Sequence, residues 1–166
     1  MVVLAFVTAG CGGSGSSSSA ASVQWANDVC GATTAWKNQL SKLVGGVRAG
    51  GLSEESLKTA GSSLQAVTKT YAETLKDLGT PQTNAGTQAK QSIDTLATQL
   101  SRGADAIKQA LDSSSASAAL TTIATTVSSM QTNIKSAVSN LQSLDAKGEL
   151  KQAFDSADNC ASLTTS

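Results

Sequence analysis

A seam of apolar residues in the second half of the sequence constrains the fold most tightly. Leu120, Ile123, Val127, Met130, Ile134, Ala137, Leu141 and Leu144 recur at alternating spacings of three and four. That spacing lays them along one stripe of a helix about 40 Å long at 1.5 Å per residue. A strand would send every second side chain to the opposite face, so a helix is expected here over a strand despite the many Thr and Val.

The same period appears in two earlier segments. From Ser53, the residues Leu57, Ala60, Leu64, Val67, Tyr71, Thr74 and Leu78 form one stripe. Ser53 is placed to cap it, Glu54 and Glu55 suit the positive end of its dipole, and Leu52 is placed to staple onto Leu57. Gly79 is expected to end this helix and Thr80-Pro81 to begin the next. The next stripe is Ala89, Ile93, Leu96, Leu100, Gly103, Ile107 and Ala110, with Leu111 at its edge, and Asp112-Ser113-Ser114-Ser115 breaks it.

A less regular first helix, from about Ser22 to Val44, sets Trp25, Val29, Ala32, Trp36, Leu40 and Leu43 on a broad face, and Gly45-Gly46 is expected to open the loose connection that follows. After a break near Lys147-Gly148, the residues Leu150, Phe154, Ala157 and Ala161 suggest a short fifth helix. Short loops favour antiparallel neighbours. The expected fold is therefore all-α: an antiparallel four-helix up-down-up-down bundle with a short C-terminal fifth helix, in which the end of helix four lies beside the start of helix one.

Composition limits the chemistry such a bundle can carry. Twelve Lys and Arg balance twelve Asp and Glu along the chain with no basic block, so nucleic acid is not an expected partner. Aromatic residues make up only 3%, too few for a base-stacking or sugar-stacking platform. The sequence has no His, which removes Ser-His-Asp and Cys-His nucleophile systems and histidine metal sites. No Ser stands three residues before a Lys, so the serine-lysine arrangement is missing too.

Two acid pairs deserve a catalytic reading beside the ordinary one, since paired carboxylates perform glycoside chemistry. Glu54 and Glu55 are already explained by a helix start, and Asp155 with Asp158 by a solvated helix face. The reading is non-enzymatic, with no cofactor and no metal. Trp25 and Trp36, three helical turns apart, fall on nearly one face; they are either core or a face for a partner or ligand.

The first ten residues, Met-Val-Val-Leu-Ala-Phe-Val-Thr-Ala-Gly, are an apolar run closing on small residues before Cys11. Thr8-Ala9-Gly10-Cys11 resembles the lipobox of bacterial lipoproteins, departing from it by Thr8 at the first position. The resemblance implies a signal peptide over residues 1–10 and a diacylglyceryl thioether on Cys11, where two acyl chains give lasting membrane attachment. The apolar run begins at Met1 with no Lys or Arg before it, so the true start is expected further upstream. Gly12-Gly13-Ser14-Gly15 and the serines after it read as a flexible tether over 11–22, with the bundle over 23–163.

With Cys11 set aside, Cys30 and Cys160 remain as an even pair, and export makes a disulfide between them reasonable. Closing that loop would stabilise the fold by roughly 5 kcal/mol in the chain-entropy model. The alternative is two independent buried thiols; a metal pair has too few soft ligands. The low-charge, Thr/Ser-rich style and the Trp-Ala-Asn-Asp-Val-Cys opening also resemble small secreted helical proteins and lipoproteins of actinobacteria.

The expected protein is a monomer, lipid-anchored on the extracytoplasmic face of the cell membrane, and a non-catalytic binding or structural module for a protein or cell-wall partner. The alternative is a carrier of a small apolar or lipid ligand between its helices. A third class, the short helical effectors of dedicated export systems, would carry Trp-X-Gly; neither Trp25 nor Trp36 is followed by it.

Overall fold

The computed structural model describes residues 19–50, 53–113, 115–144 and 148–164. The leader, Cys11, most of the tether, Leu52, Ser114 and Lys147 lie outside these. Four long helices form the antiparallel bundle: α1 (Ala20–Gly50), α2 (Glu54–Asp77), α3 (Gly86–Ser113) and α4 (Ala116–Ser143). Two short helices follow, α5 (Glu149–Ser156) and α6 (Asp158–Thr164), and no strand occurs among the described residues.

Several helix ends differ from the sequence expectation. α1 begins at Ala20, inside the stretch read as tether, because the Ser19 hydroxyl accepts from the Ser22 amide at 3.2 Å and caps it. α1 also continues through Gly45-Gly46 to Gly50 instead of stopping at Val44. Nothing crowds either of those glycines, and the cost of about 1 kcal/mol each in helix propensity is tolerated at that exposed end. Ser53 caps α2 as expected, its side chain accepting from the Ser56 amide.

At the other end of α2, Leu78 turns the chain out with ψ 127° in place of a left-handed Gly79. Pro81 does not start α3 but sits in a turn five residues ahead of it. Gly86 opens α3 because an added Cβ would stand 2.1 Å from the Pro81 carbonyl oxygen. Gly148, with φ 72°, supplies the left-handed turn that ends the α4–α5 connection.

The core follows the expected stripes with two rotations. In α2 the buried line is Leu57, Gly61, Leu64, Thr68, Tyr71, Ala72 and Leu75, whereas Thr74 faces solvent. In α4 Ala119 turns inward and Leu120 outward. The stripe of α3 is buried as expected except for Gly103, which is half-buried, and it is widened by Ala97 and Ala104.

The largest difference concerns the fifth element, which is two helices rather than one. Ala157 adopts an extended backbone, its amide still bonded to the Phe154 carbonyl, and α6 starts immediately after it. α5 packs on both α1 and α4, while no Cα of α1 comes within 8 Å of one of α4 among the described residues. α5 therefore bridges α4 and α1, and the expected direct neighbouring of the end of α4 and the start of α1 is corrected while the bundle itself stands.

Candidate functional site

The end of the bundle where α1 begins is assembled from groups far apart in sequence. Ser22 donates its hydroxyl to the Gln82 carbonyl at 3.1 Å, and the Trp25 indole N–H donates to the Gly79 carbonyl at 2.8 Å. Both carbonyls belong to the α2–α3 connection. The Asn84 amide and side chain in turn donate to the Glu149 carboxylate at the start of α5, each at 3.2 Å. Trp25 meets Phe154 of α5 edge to face, with ring centroids 6.1 Å apart.

The Cys30–Cys160 disulfide expected from the sequence is present, joining α1 to α6 across Cα atoms 5.0 Å apart. Beside it Asn159 donates its backbone amide to the Asn27 side-chain oxygen at 3.1 Å and its side-chain amide to the Asn27 carbonyl at 3.2 Å. Cys30, Cys160 and both tryptophans are buried.

Trp36 lies one level further along α1 in a buried polar cluster. Its ring stacks on Tyr71 of α2 at 5.7 Å, and its N–H donates to the Thr68 hydroxyl at 3.1 Å. The Thr33 hydroxyl donates to the Val29 carbonyl and shares a 2.8 Å hydrogen bond with the Tyr71 hydroxyl. Burial pushes the Tyr71 phenol up to about 12, against the smaller opposing effect of its bond to Thr33. Thr33, Thr68 and Ser22 did not stand out in the sequence. A hydroxyl on a core stripe signals such a cluster only when its distant partner is known.

Two open grooves flank these elements. One, of about 490 Å³, runs between α1 and α2, with Ala32, Trp36 and Val67 below and Asn27, Asp28 and Gln39 at its rim. The other, of about 420 Å³ between α3 and α4, carries side-chain amides such as Gln88, Gln91, Asn133 and Asn140 and no charged residue. Either can accept hydrogen-bonding ligands without any activated nucleophile.

The charged residues have ordinary surroundings. Glu54 pairs with Lys58 at 2.8 Å, which holds its carboxyl below the usual range and raises the lysine, and Asp155 pairs with Lys151. Asp158 sits in the first turn of α6. No cluster of three His, Cys, Asp or Glu suited to a metal ion occurs among the described residues. No described helix is long and apolar enough to cross a membrane.

The fold and its links define a disulfide-fastened antiparallel helical bundle with open surface grooves. Comparison with family models, with curated proteins and with solved structures finds no match.

Proposed function

We propose that this chain is an extracytoplasmic lipoprotein, anchored in the membrane through Cys11, whose bundle is a non-catalytic binding module. The observation that carries the reading is the pairing of Cys30 with Cys160, which leaves Cys11 as the cysteine outside the disulfide. That cysteine stands at the end of the lipobox-like Thr8-Ala9-Gly10-Cys11, and structural disulfides persist in oxidising compartments outside the cytoplasm. The non-catalytic part is supported by the sequence's lack of His and by Tyr71, whose raised phenol and bond to Thr33 unfit it for proton transfer near neutrality. Binding is favoured over carriage because the α1–α2 and α3–α4 grooves lie open on the surface.

Detergent phase partition of cells expressing the gene with its native upstream sequence tests the anchor. The unaltered protein should enter the detergent phase and Cys11→Ser the aqueous phase. Equal partition of the two would refute lipidation at Cys11.

A further inference from the structure

The α3–α4 groove, of about 420 Å³, is lined without a single charged residue. Its polar groups are the side-chain amides of Gln88, Gln91, Gln99, Asn133 and Asn140 and the hydroxyls of Ser92, Thr95 and Ser136, beside the buried Leu96 and the half-buried Ala137. Both helices carry charge, but it is kept off this surface. Lys90 and Asp94 pair with each other, and Lys135, the single charge of α4, does not line the groove.

The five amides are also free. Elsewhere the side-chain amides of Asn84 and Asn159 donate to Glu149 and Asn27, links that hold the fold together. No side-chain amide of the groove has a hydrogen-bond partner among the described residues. Ser92 and Thr95 donate back to the carbonyls of Gln88 and Gln91, which leaves their hydroxyl oxygens able to accept.

Register arranges these groups as rungs. Gly103 of α3 and Met130 of α4 lie against each other, an added Cβ on Gly103 falling 2.3 Å from the Met130 methyl. Counting from that contact along antiparallel helices sets Gln99 level with Asn133, Thr95 with Ser136, and Gln91 with Asn140, all bordering the one groove. Rungs four residues apart on α3 are separated by about 6 Å at 1.5 Å per residue. An extended polypeptide repeats every two residues, over about 6.6 Å.

That match selects the ligand. A side-chain amide both donates and accepts, as a backbone C=O and N–H require of a partner, so three rungs suit alternate residues of an extended segment. A neutral segment brings no ion to be stripped of water, whereas a charged one would find no counter-charge in the groove. No aromatic ring lines it, so there is no face on which a sugar ring could stack. We infer that the α3–α4 groove binds an extended, uncharged segment of a partner polypeptide, held through its backbone by Gln91, Gln99, Asn133 and Asn140. The inference rests on the reading of the chain as a binding module and is independent of the Cys11 anchor.

The test uses the full chain carrying Cys11→Ser and a fluorescent, end-capped peptide of alternating Thr and Ala. One control peptide is N-methylated at every second residue, which removes backbone donors and adds no charge; another has Glu in place of each Thr. Anisotropy titration should show the neutral peptide binding about tenfold or more tightly than either control.

Gln91→Ala with Asn140→Ala removes one rung and should weaken the neutral peptide by about tenfold. Gln39→Ala, in the α1–α2 groove, should leave its binding unchanged. All three side chains are exposed, so helicity and thermal midpoint should stay the same and report that the variants fold.

Failure of the neutral peptide to bind, equal binding of either control, or indifference to the lost rung would overturn the inference. So would tighter binding of chitotetraose that depends on Gln91 and Asn140, which would give the groove to a glycan. Peptide binding lost with Gln39→Ala would overturn it too while leaving the chain a binding module, so the two failures are distinguishable. Because Cys11→Ser is present throughout, both are separate from a failure of the anchor.

Discussion

At the end where α1 begins, a disulfide, an indole-to-carbonyl bond and a carboxylate clamp on Asn84 tie α1, α5, α6 and the α2–α3 connection together, whereas at the opposite end Val44 and Leu120 are exposed. The same apolar heptad on α4 runs through both ends. What differs is whether another element covers it. Apolar periodicity thus reports a face capable of burial, and topology decides how much of that face is buried within the chain.

The largest expected effect comes from cutting the link that closes one end. Replacing both Cys30 and Cys160 by Ala should lower unfolding free energy by up to about 5 kcal/mol, the chain-entropy value for a 130-residue separation. Urea denaturation measures it. A loss below about 1 kcal/mol would mean the other contacts at this end hold α6 without the disulfide.

A smaller effect contrasts two positions on one heptad line. Leu141→Ala should cost about 2–5 kcal/mol, because it opens a cavity in a fully covered part of the core. Leu120→Ala, on the same line but 40% exposed, should cost about 1 kcal/mol or less. Equal costs in denaturant melts would mean that the two ends are equally closed.

Between these falls a pH effect. Tyr71 has a folded pKa raised to about 12 from an ordinary 10, so the unfolded chain ionises first. The stabilising contribution is fully present below pH 10 and is lost as the pH rises toward 12, amounting to roughly 3 kcal/mol at order-of-magnitude precision. The measurement is the difference between the unaltered chain and Tyr71→Phe. Their stability curves should converge on alkalinisation, and parallel curves would place Tyr71 in contact with water.

Much of this architecture was legible in advance. The α3 and α4 stripes, the Ser53 cap and the Cys30–Cys160 pair all rest on local period or simple counting. What escaped depends on groups far apart in sequence. Trp25 and Ser22 hold the α2–α3 connection through Gly79 and Gln82, which displaces the expected start at Pro81 to Gly86. The split at Ala157 sends Cys160 back to α1 and interposes α5 between α1 and α4.

The candidate site was less legible than the fold. Trp25 and Trp36 were visible as a pair on one face, but their shielding depends on Phe154 and Tyr71, and their N–H groups on Gly79 and Thr68. The exposure of Leu120 had no signal of its own, because Leu120 obeys the same heptad as the buried Leu141.

Solvent access along that heptad is the most direct test of the difference between the two ends. With methyl groups labelled and a soluble gadolinium chelate added, relaxation enhancement should fall in the order Leu120, Val127, Ile134, Leu141. Equal and weak enhancement at Leu120 and Leu141 would show that the two ends of α4 are equally covered, and would contradict the account.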